Sequence, residues 1–105
     1  MQKKVEEFNK NKQVHQTPMP VYARLLDIQS ELGEIAKEYL KNSNYGTNSF
    51  QLTNDFIMEY GDVLYSFLSL AEELKIDANQ ALDKVIEKYT NRIKKYNSMG
   101  SKKEN

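Results

Sequence analysis

The chain carries one short phrase twice, Glu31-Leu32-Gly33-Glu34-Ile35 and Glu59-Tyr60-Gly61-Asp62-Val63, each inside a stretch whose apolar residues recur at helical spacing. Residues three apart on a helix share a face, with about 5–6 Å between their Cβ atoms. Each copy therefore points two carboxylates at one volume, and two such helices packed antiparallel bring four together. That much negative charge raises carboxylate pKa values and destabilises a fold unless a cation offsets it. An all-oxygen donor set suits Mg²⁺, with Mn²⁺ as the alternative. The repeat thus asks for a helical bundle and a divalent metal at Glu31, Glu34, Glu59 and Asp62. Glycine inside a helix costs roughly 0.8–1 kcal/mol relative to Ala, and close approach of the two helices at Gly33 and Gly61 would offset that cost.

At 105 residues the chain supplies one small domain, expected over residues 1–96, with 97–105 as a mobile tail lacking periodicity. Lys plus Arg equals Asp plus Glu at 15 each, so net charge indicates neither a nucleic-acid surface nor a polyacidic tail. There is no cysteine, which removes disulfides, thiol catalysis and thiolate zinc sites. No stretch reaches the roughly 18 apolar residues of a membrane span, and the N-terminal Met-Gln-Lys-Lys is not followed by an apolar run. A soluble protein of the cytoplasm, without membrane or nucleic-acid partners, is the expectation.

Along the chain, Val5 and Phe8 permit a short, weakly anchored first helix in residues 2–14. Thr17 and Pro18 serve as N-cap and first helical residue of the next, with Pro20 tolerable in its first turn. From Tyr22 to Leu40 the set Tyr22, Leu25, Leu26, Leu32, Ala36, Tyr39 and Leu40 makes one stripe, bordered by Ile28 and Ile35. Residues 42–49 are turn chemistry. A third helix starts at Thr53 or Asn54 and runs to Leu74, with Phe56, Tyr60, Val63, Leu64, Phe67, Leu68, Ala71 and Leu74 inward. Asp77-Ala78-Asn79-Gln80 reads as a capping box opening a fourth, whose buried face is Ala81, Leu82, Val85, Ile86, Tyr89, Ile93 and Tyr96. The fold class is all-α, a four-helix-type bundle of three strong helices and a short N-terminal one.

The last helix carries Lys84, Lys88, Arg92 and Lys95 along one edge, a pattern that fits a solvated stripe or a grip on phosphates beside the metal. Lys41, Asn44 and Tyr45 in the loop region, and Tyr65 after Asp62, are candidate contacts for a base or ribose. A di-iron carboxylate site uses Glu-x-x-His, and the lone His15 has no Glu three residues before it, so it reads as a turn or packing residue. No Walker-type glycine loop, nucleophilic triad or dinucleotide fingerprint is present.

With these residues the chain resembles the MazG-like nucleotide pyrophosphohydrolases of the all-α nucleoside triphosphate pyrophosphatase superfamily, over most of residues 5–96. Their Glu-x-x-Glu followed after a loop by Glu-x-x-Asp is matched by Glu31, Glu34, Glu59 and Asp62. Gly-Asp-Val-Leu-Tyr at 61–65, and the Ile-Asp turn followed by Ala-Leu and Glu-Lys-Tyr-x-x-Arg at 76–92, are also similar. Two positions depart: Ser30 stands where many relatives have a further Glu, and Tyr89 where many have Asn. The resemblance implies Mg²⁺-dependent hydrolysis of a nucleoside or deoxynucleoside triphosphate to monophosphate and pyrophosphate, as nucleotide-pool maintenance. One of the four carboxylates would also take a proton from water; the sequence does not rank them, and Glu34 is our choice. The resemblance further implies Lys84, Lys88 and Arg92 as phosphate ligands. Enzymes for dUTP, dCTP and phosphoribosyl-ATP occur in the superfamily, so the base stays open. The alternative of another class is a non-catalytic helical interaction module binding a structural cation. Three long helices and a weak fourth leave apolar surface for a partner copy, as homodimer or homotetramer.

Overall fold

Thr53 sets the start of the helix that carries the second acid pair. Its backbone is extended, its side-chain oxygen accepts from the N–H of Phe56 at 3.2 Å, and its carbonyl accepts from Ile57. Such a cap satisfies one of the donors that a helix start leaves open. The computed structural model describes residues 1–11 and 20–96, Tyr96 by its backbone alone. Four helices follow one another: α1 Gln2–Asn11, α2 Val21–Asn42, α3 Asn54–Leu74 and α4 Ala78–Tyr96, with no strand among the described residues. The architecture is all-α, as the periodicity requires. His15, the Thr17-Pro18 start and the 97–105 tail lie outside the described residues, and α2 is described from Val21 with Pro20 at its N-cap.

The chain forms two compact units, Met1–Lys75 and Ile76–Asn105. In the first, α3 is central, packed by α2 along one side and by α1 along another. Helices α2 and α3 run antiparallel: Arg24 near the start of α2 pairs with Glu73 near the end of α3 at 3.0 Å, and Asn42 at the end of α2 donates to Thr53 at 3.0 Å. Between these ties, Arg24, Ile28, Glu31, Ile35, Glu38 and Asn42 recur at alternating steps of four and three, and so do Asp55, Glu59, Asp62, Ser66, Ser69 and Glu73. This is the spacing of a coiled-coil seam, here built mainly from polar and small groups. Ser66 and Ser69 are 3% and 1% exposed, and Ile28 is the most buried residue of α2. Helix α1 docks through Asn9, whose amide donates to Ser69 Oγ at 3.2 Å while its carbonyl oxygen accepts from the Tyr65 hydroxyl at 2.5 Å, with Phe8 edge-on to the Tyr65 ring.

The seam corrects the expected inward faces. Tyr22, Leu25, Leu26, Leu32, Tyr39 and Leu40 of α2, and Tyr60, Phe67 and Leu74 of α3, are exposed; of the stripe expected on α3, Leu68 and Ala71 are buried. The stripes lie beside the seam, whose buried serines are small enough to let the backbones approach and whose ends are tied by the Arg24–Glu73 pair and the Asn42–Thr53 bond. The glycines are corrected likewise. A Cβ added at Gly33 or Gly61 would meet nothing within 4 Å, since each lies about 200° round its helix from the first acid of its phrase. Gly33→Ala is therefore expected to raise the stability of the isolated chain by about 0.8–1 kcal/mol, the helix-propensity difference. Thermal denaturation checks it; a fall would mean that the open face at Gly33 is covered in the working protein.

The second unit is described to Tyr96. The Gln80 N–H donates to Asp77 Oδ1 at 3.1 Å and the Ala81 N–H to the Asp77 carbonyl at 3.0 Å, the cap expected for α4. Its expected buried face is open: Leu82, Ile86 and Ile93 are exposed, and Val85 and Tyr89 are half-buried. An amphipathic helix exposes its stripe wherever nothing of matching length covers it.

Candidate metal centre

Antiparallel packing of the seam places Glu31 of α2 opposite Glu59 and Asp62 of α3. One carboxylate oxygen from each of the three lies within 4.8 Å of the others. Glu31 and Glu59 are half-buried, and Asp62 is exposed. The site therefore has a covered floor and an open rim.

Electrostatics in the group are repulsive. The Glu31 carboxyl is raised above the ordinary glutamate value, first by desolvation and then by the charges of Asp62, Asp27, Glu59 and Glu34. Glu59 is raised in the same direction, by desolvation and then by Asp62, Glu34, Glu38 and Asp55. Each charged form is disfavoured by its neighbours. A divalent cation reverses that sign, and three carboxylates with room for further oxygen ligands at an open rim are the donor set that hard cations take. The residues present fit such an ion.

Glu34, expected as a fourth ligand and as the base, is exposed and stands outside the group of three, although its charge is felt by both Glu31 and Glu59. Glu38, not anticipated, adds a further acid beside Glu59, and Asn42 donates to it at 3.5 Å. Its signal was present in the sequence: Glu38 lies seven residues after Glu31 and so on the same face. Lys41 belongs to the last turn of α2 and not to the loop, with its ammonium 3.4 Å from Glu38. Tyr45 is exposed in the loop, held at positive φ between Asn44 and Gly46. Tyr65 is drawn toward α1, its hydroxyl engaged by Asn9. In the second unit, Lys84, Lys88, Arg92 and Lys95 line one open trough along α4 together with Glu87 and Asn91, and the Lys88 ammonium lies 5.5 Å from the centre of the Tyr89 ring.

Comparison with known proteins gives a concordant result. The profile of the MazG nucleotide pyrophosphohydrolase domain matches residues 16–96. A Bacillus subtilis (strain 168) protein, uncharacterized protein YpjD, is 37% identical over 81 residues, covering 74% of this chain and 68% of its own. No solved structure matches the chain significantly. No described helix is long and apolar enough to cross a membrane.

Proposed function

The chain belongs to the MazG nucleotide pyrophosphohydrolase family, and from that premise we propose that it hydrolyses a nucleoside or deoxynucleoside triphosphate to the monophosphate and pyrophosphate. The observation that carries the proposal is the convergence of Glu31, Glu59 and Asp62 from two helices. These three would hold Mg²⁺, or Mn²⁺ in its place. When bound, the ion shields the phosphate charge and activates water toward phosphorus.

The chain's own groups do the rest. Glu34, exposed and three residues after Glu31 on α2, would take the proton of the attacking water. As the bond between the α and β phosphates breaks, negative charge moves onto the leaving pyrophosphate. Lys84, Lys88 and Arg92 are the cations suited to receive that charge, a task of fixed positive groups aimed at developing anions. Lys41, Tyr45 and Tyr65 remain candidates for base or ribose. The large exposed side chains Tyr22, Leu25, Leu26, Ile57, Met58 and Tyr60 support assembly of copies into a homodimer or homotetramer. The role we assign is nucleotide-pool maintenance in the cytoplasm.

Phosphorus NMR of the protein with Mg²⁺ and a panel of ribo- and deoxynucleoside triphosphates tests the proposal. The expected products are monophosphate and pyrophosphate, absent with the Glu31→Gln/Asp62→Asn variant. Orthophosphate with diphosphate would assign a different bond. No turnover of any nucleotide would favour a helical interaction module whose acids hold a structural cation.

A further inference from the structure

At the loop end of the α2–α3 seam, Phe50 of the loop joins Tyr39 and Phe56, one ring from each apolar stripe, into a ladder of three aromatic rings. Tyr39 and Phe50 stack face to face, with centroids 4.7 Å apart and planes 11° from parallel, and Phe56 meets Phe50 edge-on at 5.0 Å. Phe50 and Phe56 are half-buried, whereas Tyr39 is 48% exposed. The outermost ring of the stack thus belongs to a residue that is nearly half exposed.

The ladder is held firmly. Ser43 is 1% exposed; its hydroxyl donates to the carbonyl of Tyr39 at 2.9 Å and accepts from the Gly46 N–H at 3.1 Å. Asn44, Tyr45 and Gly46 turn the chain through successive positive φ, the Asn48 N–H donates back to the Ser43 carbonyl at 2.9 Å, and the Gln51 N–H returns to Asn42 at 3.1 Å. Phe50 is thereby fixed over the last turns of α2. A platform that need not order itself on contact keeps more of its stacking energy.

The ladder also adjoins the carboxylates. Phe56 lies three residues before Glu59, about one turn or 5 Å along α3. Tyr39 follows Glu38, whose charge reaches Glu59. Along α2, Tyr39 stands eight residues beyond Glu31, about 12 Å of helix rise.

We infer that Tyr39, backed by Phe50 and Phe56, is the stacking platform for the base of the nucleotide whose phosphates lie at Glu31, Glu59 and Asp62. This rests on the function proposed above. Stacking is indifferent to base identity because every base has a π-face, so the platform supplies affinity common to several nucleotides.

The test compares Tyr39→Phe and Tyr39→Leu, the latter keeping an apolar contact with Phe50 if Tyr39→Ala fails to fold. Loss of one base-stacking ring raises KM for nucleoside triphosphates between about fivefold and a hundredfold. Tyr39→Leu should show this with kcat within about twofold and with unchanged inhibition by inorganic tripolyphosphate, which has no base; Tyr39→Phe should match the unmodified protein. An unchanged KM in Tyr39→Leu overturns the inference, as does a common loss toward nucleotide and tripolyphosphate, which would mark Tyr39 as mere support for the metal centre. If the unmodified protein turns over no nucleotide, the failure lies with the proposed function. NMR titration with a nucleoside monophosphate then decides the platform: upfield ring-current shifts at Tyr39 uphold it, and their absence overturns it.

Discussion

Asp62→Asn, Glu31→Gln and Glu59→Gln are each expected to lower turnover of a nucleoside triphosphate by about a hundredfold or more, the scale on which a single preorganised electrostatic group contributes to a transition state. Helical circular dichroism should be retained, because these acids repel one another in the metal-free protein and their neutralisation removes strain from the seam. Glu34→Gln is expected to separate two properties that the other three lose together. Its side chain stands outside the group of three, so the metal is kept, while loss of the proton acceptor costs about 10²–10⁴ in kcat. Rates of pyrophosphate release, measured for the four variants across a Mg²⁺ titration, check both statements. Equal loss of metal response in Glu34→Gln would make it a fourth ligand; full activity would remove it from the reaction.

Mg²⁺ is expected to raise the thermal midpoint by about 10–20 °C at a concentration near one hundred times its dissociation constant. A ligand that binds only the folded state contributes about 2.7 kcal/mol there, and a domain of this size gains about 4–8 °C per kcal/mol. A chelator should reverse the shift, and Glu59→Gln should abolish it while raising the midpoint of the metal-free protein. The metal-free protein also has a defined pH dependence. Glu31 and Glu59 titrate above the ordinary glutamate value in the fold, so the unfolded chain loses these protons first. Their contribution to stability is complete below the ordinary value and is lost as pH rises through the raised ones. Scanning calorimetry from acid to neutral pH with chelator should show the midpoint falling over that window, and saturating Mg²⁺ should flatten it.

Helix number, the start of α3 at Thr53, its end at Leu74 and the Asp77 cap were all legible, because each rests on local chemistry: a side-chain oxygen beside open N–H groups, or a break in periodicity. The second acid pair was legible for the same reason, since spacing alone puts Glu59 and Asp62 on one face, whereas of the first pair only Glu31 joins them. What could not be read was which face of each helix meets the other. Apolar periodicity marks surface that some partner must cover, and the strong stripes through Leu25 and Leu32, or through Tyr60 and Phe67, drew attention from the weaker seam beside them. Ser66 and Ser69 carry no hydrophobic signal, yet they are among the most buried residues of the chain. The ladder at Tyr39, Phe50 and Phe56 escaped for another reason: Phe50 belongs to no helix, and only the folded loop brings it between two rings that do.

A seam of leucines could slide by one heptad and still bury the same area, whereas a seam of distinct polar groups is closer to a key with one position. Moving α3 seven residues one way would set Arg24 opposite Ser66 and leave Glu73 without its cation; moving it the other way would set Glu31 against Glu73. Either slip leaves a half-buried charge without its partner, which is unfavourable. The ion pair at one end and the Asn42–Thr53 bond at the other therefore act as an address label for the folding chain, and its message is the alignment that brings three carboxylates to one point.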